Sequence, residues 1–274
     1  MNTLNAVLNR LFDIGIAPFR GQSPWPAMIA ACLATTVLVL LIFKYTSNQK
    51  TLRSKKNRAI ARLLEFVLFK DDIVVSIGAL GRVIAANCVY LCALLVPLVV
   101  CVIPVFLILV QLSCWIGVRP LKAGETTVLT ATLRGDLPVM KQSIGIGTSP
   151  GLTVNAGPIR VPSKNEVSWR LSVKADGFQW VDLSLDGGVI RKTVTAGTRP
   201  GRVSPLRPAA GAWKALTNPS EAPLPPASPI VSVRVDYPAA NLELGHLACN
   251  WLLVFFVLTL VFGIVLLRPL RVVV

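Results

Sequence analysis

Among the polar side chains within or at the ends of long apolar runs are Thr35, Thr36, Arg82, Asn87, Tyr90, Gln111 and Thr259. Polar groups inside a membrane-length segment are functional suspects by default, because leaving them unpaired in hydrocarbon costs several kcal/mol. The simpler alternative is that the threonines bond their own helix backbone and that Arg82 extends to the interface. Cys88 and Cys92 are one helical turn apart, a spacing that can serve a metal, but the chain has a single histidine, His246. Packing as small apolar residues is the better reading for these two and for Cys32, Cys101, Cys114 and Cys249. All six lie in or beside the apolar runs, and the polar stretch between Arg119 and His246 has none, so no disulfide framework or zinc cluster is legible. Gly145-Ile146-Gly147 and Gly187-Gly188 lack the strand, helix and downstream acid of a nucleotide fingerprint and read as turns. His246 has no evident Ser or Cys partner for a triad. The expectation is a protein that is not an enzyme, with no catalytic residues, metal or cofactor.

The elements that must hold these residues are set by composition. Of 274 residues 53% are hydrophobic and 15% charged, with a mean hydropathy of +0.64, more apolar than a water-facing surface of this size tolerates. The apolar residues gather into Ala27 to Phe43, Val83 to Val118 and Leu247 to Leu267, each long enough to cross a hydrocarbon core of about 30 Å. Met1 to Arg20 does not read as a cleavable signal: its only early charge is Arg10, and no small-residue cleavage site follows a short apolar stretch. Val83 to Val118 would also suffice for two short crossings. The stretch from Val96 to Pro104 offers no polar residue to satisfy a turn, however, so one long helix kinked at Pro97 and Pro104 is expected.

Charge sets the expected orientation. Lys44 to Arg82 holds nine basic residues against Glu65, Asp71 and Asp72, a net +6 in a short loop, which the positive-inside rule assigns to the cytoplasm. The N-terminus and the polar region 119–246 then fall outside, with Arg268 and Arg271 back in the cytoplasm. That region is also net +6, fifteen basic residues against nine acidic, but long domains translocate largely regardless of charge. Its basicity is read as orientation and lipid headgroup contact, with no nucleic acid implied.

Within the basic loop Ile60, Leu63, Leu64, Val67 and Leu68 recur at the spacing of one helical face. This amphipathic helix is expected to lie along the anionic cytoplasmic leaflet or to fold onto the protein's own cytoplasmic face. Asp71-Asp72 reads as the start of the next helix. From Arg119 onward, Thr126–Leu133, Gln142–Ile146, Leu152–Val154, Val167–Val173, Gln179–Leu185, Val189–Val194 and Ile230–Tyr237 read as strands, with Asp186-Gly187-Gly188 a turn signal. Seven short strands point to an immunoglobulin-like β-sandwich, and the Pro-rich stretch 199–229 reads as a loop or linker. The expected fold class is therefore an α-helical membrane protein with three transmembrane helices and an extracytoplasmic β-sandwich. The segments are 1–43 with the first span, 44–82 cytoplasmic, 83–118 the second span, 119–246 the β domain, and 247–274 the third span and cytoplasmic C-terminus.

Two stretches carry a resemblance. Phe43-Lys44-Tyr45-Thr46-Ser47-Asn48-Gln49-Lys50, followed by a basic helix, resembles the exit of the first span in the archaeal branch of the Oxa/YidC membrane protein insertase superfamily. Trp251-Leu252-Leu253-Val254-Phe255-Phe256 through Phe262-Gly263 to Leu267-Arg268-Pro269-Leu270 is similar to that branch's last span. The order of elements also resembles the family core, and together these cover roughly a third of the chain. The cytoplasmic segment is shorter than the family's usual coiled coil, and the β domain has no counterpart in the minimal core. The resemblance implies a polar groove, open to cytoplasm and lipid, that eases the passage of polar client segments. Thr35, Thr36, Arg82, Asn87, Tyr90, Gln111 and Thr259 would line it, Asn87 and Tyr90 sharing one helical face.

The function expected on these grounds is an insertase or membrane chaperone whose external domain binds a partner. The rival is a non-catalytic structural or accessory subunit of a larger membrane complex. Expected partners are the bilayer and either a nascent or membrane-protein client or the fixed subunits of a complex, at the cytoplasmic (inner) membrane. A polar cavity between the spans would favour the first and closed packing the second.

Overall fold

The computed structural model describes residues 2–19, 23–47, 49–68, 73–185, 188–199, 201–244, 247–270 and 272. Its helices are α1 (Asn2–Ile16), α2 (Pro24–Thr46), α3 (Gln49–Leu68), α4 (Ile73–Leu112), α5 (Ala212–Thr217) and α6 (Trp251–Leu270). Among the described residues three helices are long and apolar enough to cross a membrane: Pro24–Thr46, Leu80–Gly117 and Trp251–Leu270. Pro24 and Pro26 occupy the first turn of α2, where a missing N–H removes no intrahelical bond. α4 runs unbroken for 40 residues through Pro97 and Pro104, about 60 Å at the helical rise, so the two-crossing alternative is not the one the chain adopts. Asp71 and Asp72 lie outside the described residues.

The third apolar helix begins at Trp251, four residues later than the hydropathy of Leu247 onward implied. A strand pair intervenes, β9 (Asn241–Leu244) with β10 (Leu247–Asn250), in the register Asn250↔Asn241. Asn250 Oδ1 then accepts the Leu252 N–H at 2.9 Å, a side-chain cap that fixes where the helix starts. Cys249 thus belongs to a strand.

The chain forms two compact units, one of Met1–Met28 with Leu109–Val254, the other of Ile29–Ile108 with Phe255–Val274. In the helical unit, Leu40 and Phe43 of α2, Leu52 of α3 and Val272 form a buried cluster, with Tyr90, Ala93 and Leu94 of α4 and Leu266, Leu267 and Leu270 of α6 packed against it. Lys44 Nζ donates to Leu270 O at 3.0 Å, placing a cation on the C-terminal carbonyls of α6.

The other unit contains antiparallel sheets built from β1 (Thr126–Leu133), β2 (Gly145–Thr148), β3 (Leu152–Val161), β4 (Glu166–Val173), β5 (Gly177–Leu185), β6 (Gly188–Ala196), β7 (Leu206–Pro208) and β8 (Ile230–Val235). One sheet has the order β3-β4-β1-β8-β7 and a second β2-β5-β6. Alternate residues of β1 and β4 are buried, the period of a strand with one face in a core. Leu129 and Ala131 of β1, Trp169 and Leu171 of β4, Val181 and Leu183 of β5, Val194 of β6 and Val233 of β8 belong to one buried cluster, so both sheets face a common core. Asp186 and Gly187 of the expected turn lie outside the described residues.

Two parts of this unit differ from the sequence expectation. The Pro-rich stretch 199–229 is not a linker: it contains β7 and α5, and it seats Val203, Ala215 and Leu224 at 0%, 5% and 1% exposure. Its prolines are compatible with this because the segment is held mostly by side chains and by single bridges such as Leu224 N to Pro208 O at 2.8 Å. The N-terminal residues, given no structure by the sequence reading, form α1. Asn5 Nδ2 donates to Ala215 O at 2.7 Å and Asn9 Nδ2 to Pro219 O at 2.9 Å, tying α1 to the Pro-rich segment.

Candidate functional site

Of the seven candidate groove residues, Thr35, Thr36, Arg82, Asn87, Tyr90 and Thr259 belong to the helical unit and Gln111 to the other. Thr35 Oγ1 donates to Ala31 O at 2.7 Å, and Thr36 Oγ1 lies 2.8 Å from Cys32 O and 3.4 Å from Thr259 O. Thr259 Oγ1 in turn bonds Phe255 O at 2.8 Å, and Cys32 Sγ sits 3.8 Å from the same carbonyl. Cys32 and Thr36 are four apart on α2, so their small side chains bring α2 and α6 into close contact, a seam of the kind small residues make in membranes. Thr35 and Thr36 are buried in this unit. Asn87 Nδ2 donates to Val83 O at 3.0 Å within its own helix, and Tyr90 packs on the Leu40–Phe43–Leu52 cluster.

Gln111 belongs to the other unit. It is 1% exposed, with Nε2 donating to Asn9 Oδ1 at 2.9 Å and Oε1 accepting Arg202 at 2.8 Å. Sequence alone could not give this role, since the partners are 102 and 91 residues away. Beside it is a cavity of about 550 Å³ whose lining includes Asp13, Trp115, Phe178, Arg199, Arg202 and Ser204. Phe178 is 83% exposed and lines the same cavity as Arg199 and Arg202.

Arg82 meets α3. Glu65 accepts Arg62 at 2.6 Å and Arg82 at 2.9 Å, and the bond from Arg62 holds its carboxyl below the ordinary carboxylate range, with Arg82 adding to the effect. Next to this triad, Lys55, Arg58 and Arg62 of α3 and Arg82 of α4 line a cavity of about 300 Å³ floored by Ala85, Ala86 and Val89. The signal for this cluster was present in the sequence as basic residues at i, i+3 and i+7 on α3, but their convergence with Arg82 depends on the chain reversal between α3 and α4.

On the opposite side of α3, Ile60, Leu63 and Leu64 are 47%, 50% and 64% exposed, an apolar stripe without cover among the described residues. Val67 and Leu68 continue the helix, but their side chains lie outside the described residues, as does His246.

The β unit carries one buried charged cluster. Lys192, fully buried on β6, donates to Glu221 at 2.5 Å, to Ser204 Oγ at 3.0 Å and to Ser204 O at 2.7 Å. Burial pulls the ammonium below the ordinary lysine value, and Glu221 opposes the shift. With its protons engaged by these acceptors, Lys192 is placed to pin the Pro-rich segment to β6, not to take a proton from Ser204. Among the described residues no group of three or more His, Cys, Asp or Glu side chains is placed to hold a metal ion.

Three membrane-length helices and a separate antiparallel β domain give the chain the make-up of an integral membrane protein. In comparisons with family models, curated proteins and solved structures, nothing matches it.

Proposed function

We propose that this chain is an insertase-like or chaperone-like membrane protein of the kind its Oxa/YidC resemblance implies, with an external β domain that binds a partner. What supports this reading is the resemblance, together with apolar surface on the spans that the described residues leave uncovered. Only 11% of the apolar window is buried in each of the helices Leu80–Gly117 and Trp251–Leu270, against 33% in Pro24–Thr46. Helices this bare leave lateral surface for lipid and for the apolar segments of another membrane protein. The exposed stripe of α3 would lie in the cytoplasmic interface and the β domain outside, as the charge distribution expects.

The immunoglobulin-like reading of the β domain is supported by strand adjacency. With β8 in the place of strand A, β8-β1-β4-β3 has the neighbours of an A-B-E-D sheet and β2-β5-β6 those of C-F-G. Strand A would then enter from the C-terminal side. The cavity at Phe178, Arg199 and Arg202 is the surface we assign to the partner, an aromatic anchor point flanked by charge.

A non-catalytic accessory subunit is the second reading, favoured by the direct α2/α6 seam at Thr36 and Thr259. Site-specific photocrosslinking from Asn87 and Val96 in native membranes separates the two. Capture of many ribosome-bound nascent chains is expected for the first; capture of one stoichiometric partner and no nascent chain would replace it with the second.

A further inference from the structure

We propose that Lys55, Arg58, Arg62 and Arg82 form a binding site for the phosphate of one anionic phospholipid, whose glycerol and upper acyl chains lie against Ala85, Ala86 and Val89. The four cations come from two helix faces: positions i, i+3 and i+7 on α3, and the start of the i, i+3, i+4, i+7 row Arg82, Ala85, Ala86 and Val89 on α4. Among the described residues Glu65 engages Arg62 and Arg82. Among the described residues Lys55 and Arg58 have no carboxylate partner, so the cavity holds an excess of positive charge that an anion satisfies. Guanidinium forks suit phosphate oxygens bidentately, and Lys55 adds a point charge.

The floor of the cavity distinguishes a lipid from a free anion. Two alanines leave room beneath the cations, and Val89, 52% exposed, is part of the bare apolar surface of α4 that continues through Val96. Arg82 lies near the start of the membrane-length segment Leu80–Gly117, so the cavity joins polar and apolar surroundings. A dissolved phosphate would meet only the upper part, whereas a phospholipid matches both. A cavity of about 300 Å³ suits a phosphate with its glycerol. The inference rests on the reading that α3 lies at the bilayer surface.

The test uses the full chain in detergent, with retained lipid counted by native mass spectrometry. Phosphatidylglycerol should be retained in preference to phosphatidylcholine, one molecule per chain. Lys55→Gln with Arg58→Gln leaves the Glu65 triad intact and should weaken retention about 30-fold, at about 1 kcal/mol per basic residue and 1.4 kcal/mol per tenfold. If the double variant does not fold, either single substitution serves, at about 5-fold each. Arg53→Gln, on the same helix outside the cavity, should change nothing. Equal retention of the two lipids by the wild-type chain, wild-type retention by the Lys55 and Arg58 variants, or an equal loss in Arg53→Gln would each overturn the site. Displacement of the lipid by inorganic phosphate would overturn the lipid assignment in favour of a soluble anion. Leu64→Glu lies outside the cavity and reads the placement of α3 separately: unchanged protease protection of that variant in membranes would overturn the placement, whereas protease exposure there together with wild-type lipid retention by the Lys55 and Arg58 variants would overturn the lipid site alone.

Discussion

Single residues fix the β domain where regular pairing stops. Asn165 adopts φ 54°, the left-handed conformation that ends the β3–β4 connection, and its amide serves three loop groups. Nδ2 donates to Arg134 O at 2.7 Å and Leu137 O at 2.9 Å, while Oδ1 accepts Val139 N at 3.0 Å. Asn165→Ala should cost about 2–4 kcal/mol in a denaturation experiment, and Asn165→Gly about 1 kcal/mol less, because glycine keeps the conformation and loses only the bonds. Equal costs for the two would show that backbone conformation contributes nothing there. Arg119 and Glu125 form a bidentate pair at 2.8 and 2.9 Å, and the bond from Arg119 brings the Glu125 carboxyl down to about 2 from 4.5. A folded-state value below the unfolded one means stability that is complete above about pH 4.5 and lost as pH falls towards 2. The thermal midpoint difference between wild type and Glu125→Gln should therefore shrink across that acid range; a difference independent of pH would remove the pair from the account.

At the level of elements, α3 is the clearest case of a face left exposed among the described residues. Replacing Leu64 with Glu puts a charge on the exposed stripe formed with Ile60 and Leu63 and forfeits about 1.5–3 kcal/mol of leucine burial in the interface. The variant should fold normally and lose protease protection of the 44–82 segment in membranes; unchanged protection would remove that helix from the bilayer surface. How far elements were legible follows the regularity of their pattern. β1 was readable to its ends because burial alternates without interruption from Thr126 to Leu133. β3 was readable only from Leu152 to Val154, since its register shifts around Ala156 and its middle is exposed, which erases the alternation. The close pass of that strand is visible only in three dimensions: a Cβ on Gly157 would lie 2.8 Å from Trp169 Cδ1. The polar candidates fared differently. Arg82 could be placed near the start of a span, but its pairing with Glu65, the long-range bonds of Gln111 and the Thr36–Thr259 seam arise from tertiary packing that no spacing encodes.

For the whole molecule the decisive quantity is the side of the membrane on which each segment stands. The continuous α4 gives an odd number of membrane-length helices between the 44–82 segment and the β domain, so if α4 spans the bilayer those two parts must be on opposite sides. The sidedness proposed above rests on charge alone: nine basic residues in the short loop favour the cytoplasm there, while the equally basic β domain is long enough to translocate. Ser54 on α3 and Ser163 in the β3–β4 connection are both exposed, so each can report its compartment without being hidden by packing. Cys88 and Cys92 are exposed on α4, and the measurement therefore needs a background in which the native cysteines are replaced. In that background Ser163→Cys should react with a membrane-impermeant thiol reagent in intact cells, and Ser54→Cys only after the membrane is opened. The reverse pattern would invert the topology and move the Lys55–Arg82 cavity to the outer leaflet. Labelling of both in intact cells would mean that α4 does not separate the two compartments, because a helix crossing the bilayer cannot leave both of its flanking segments on one face.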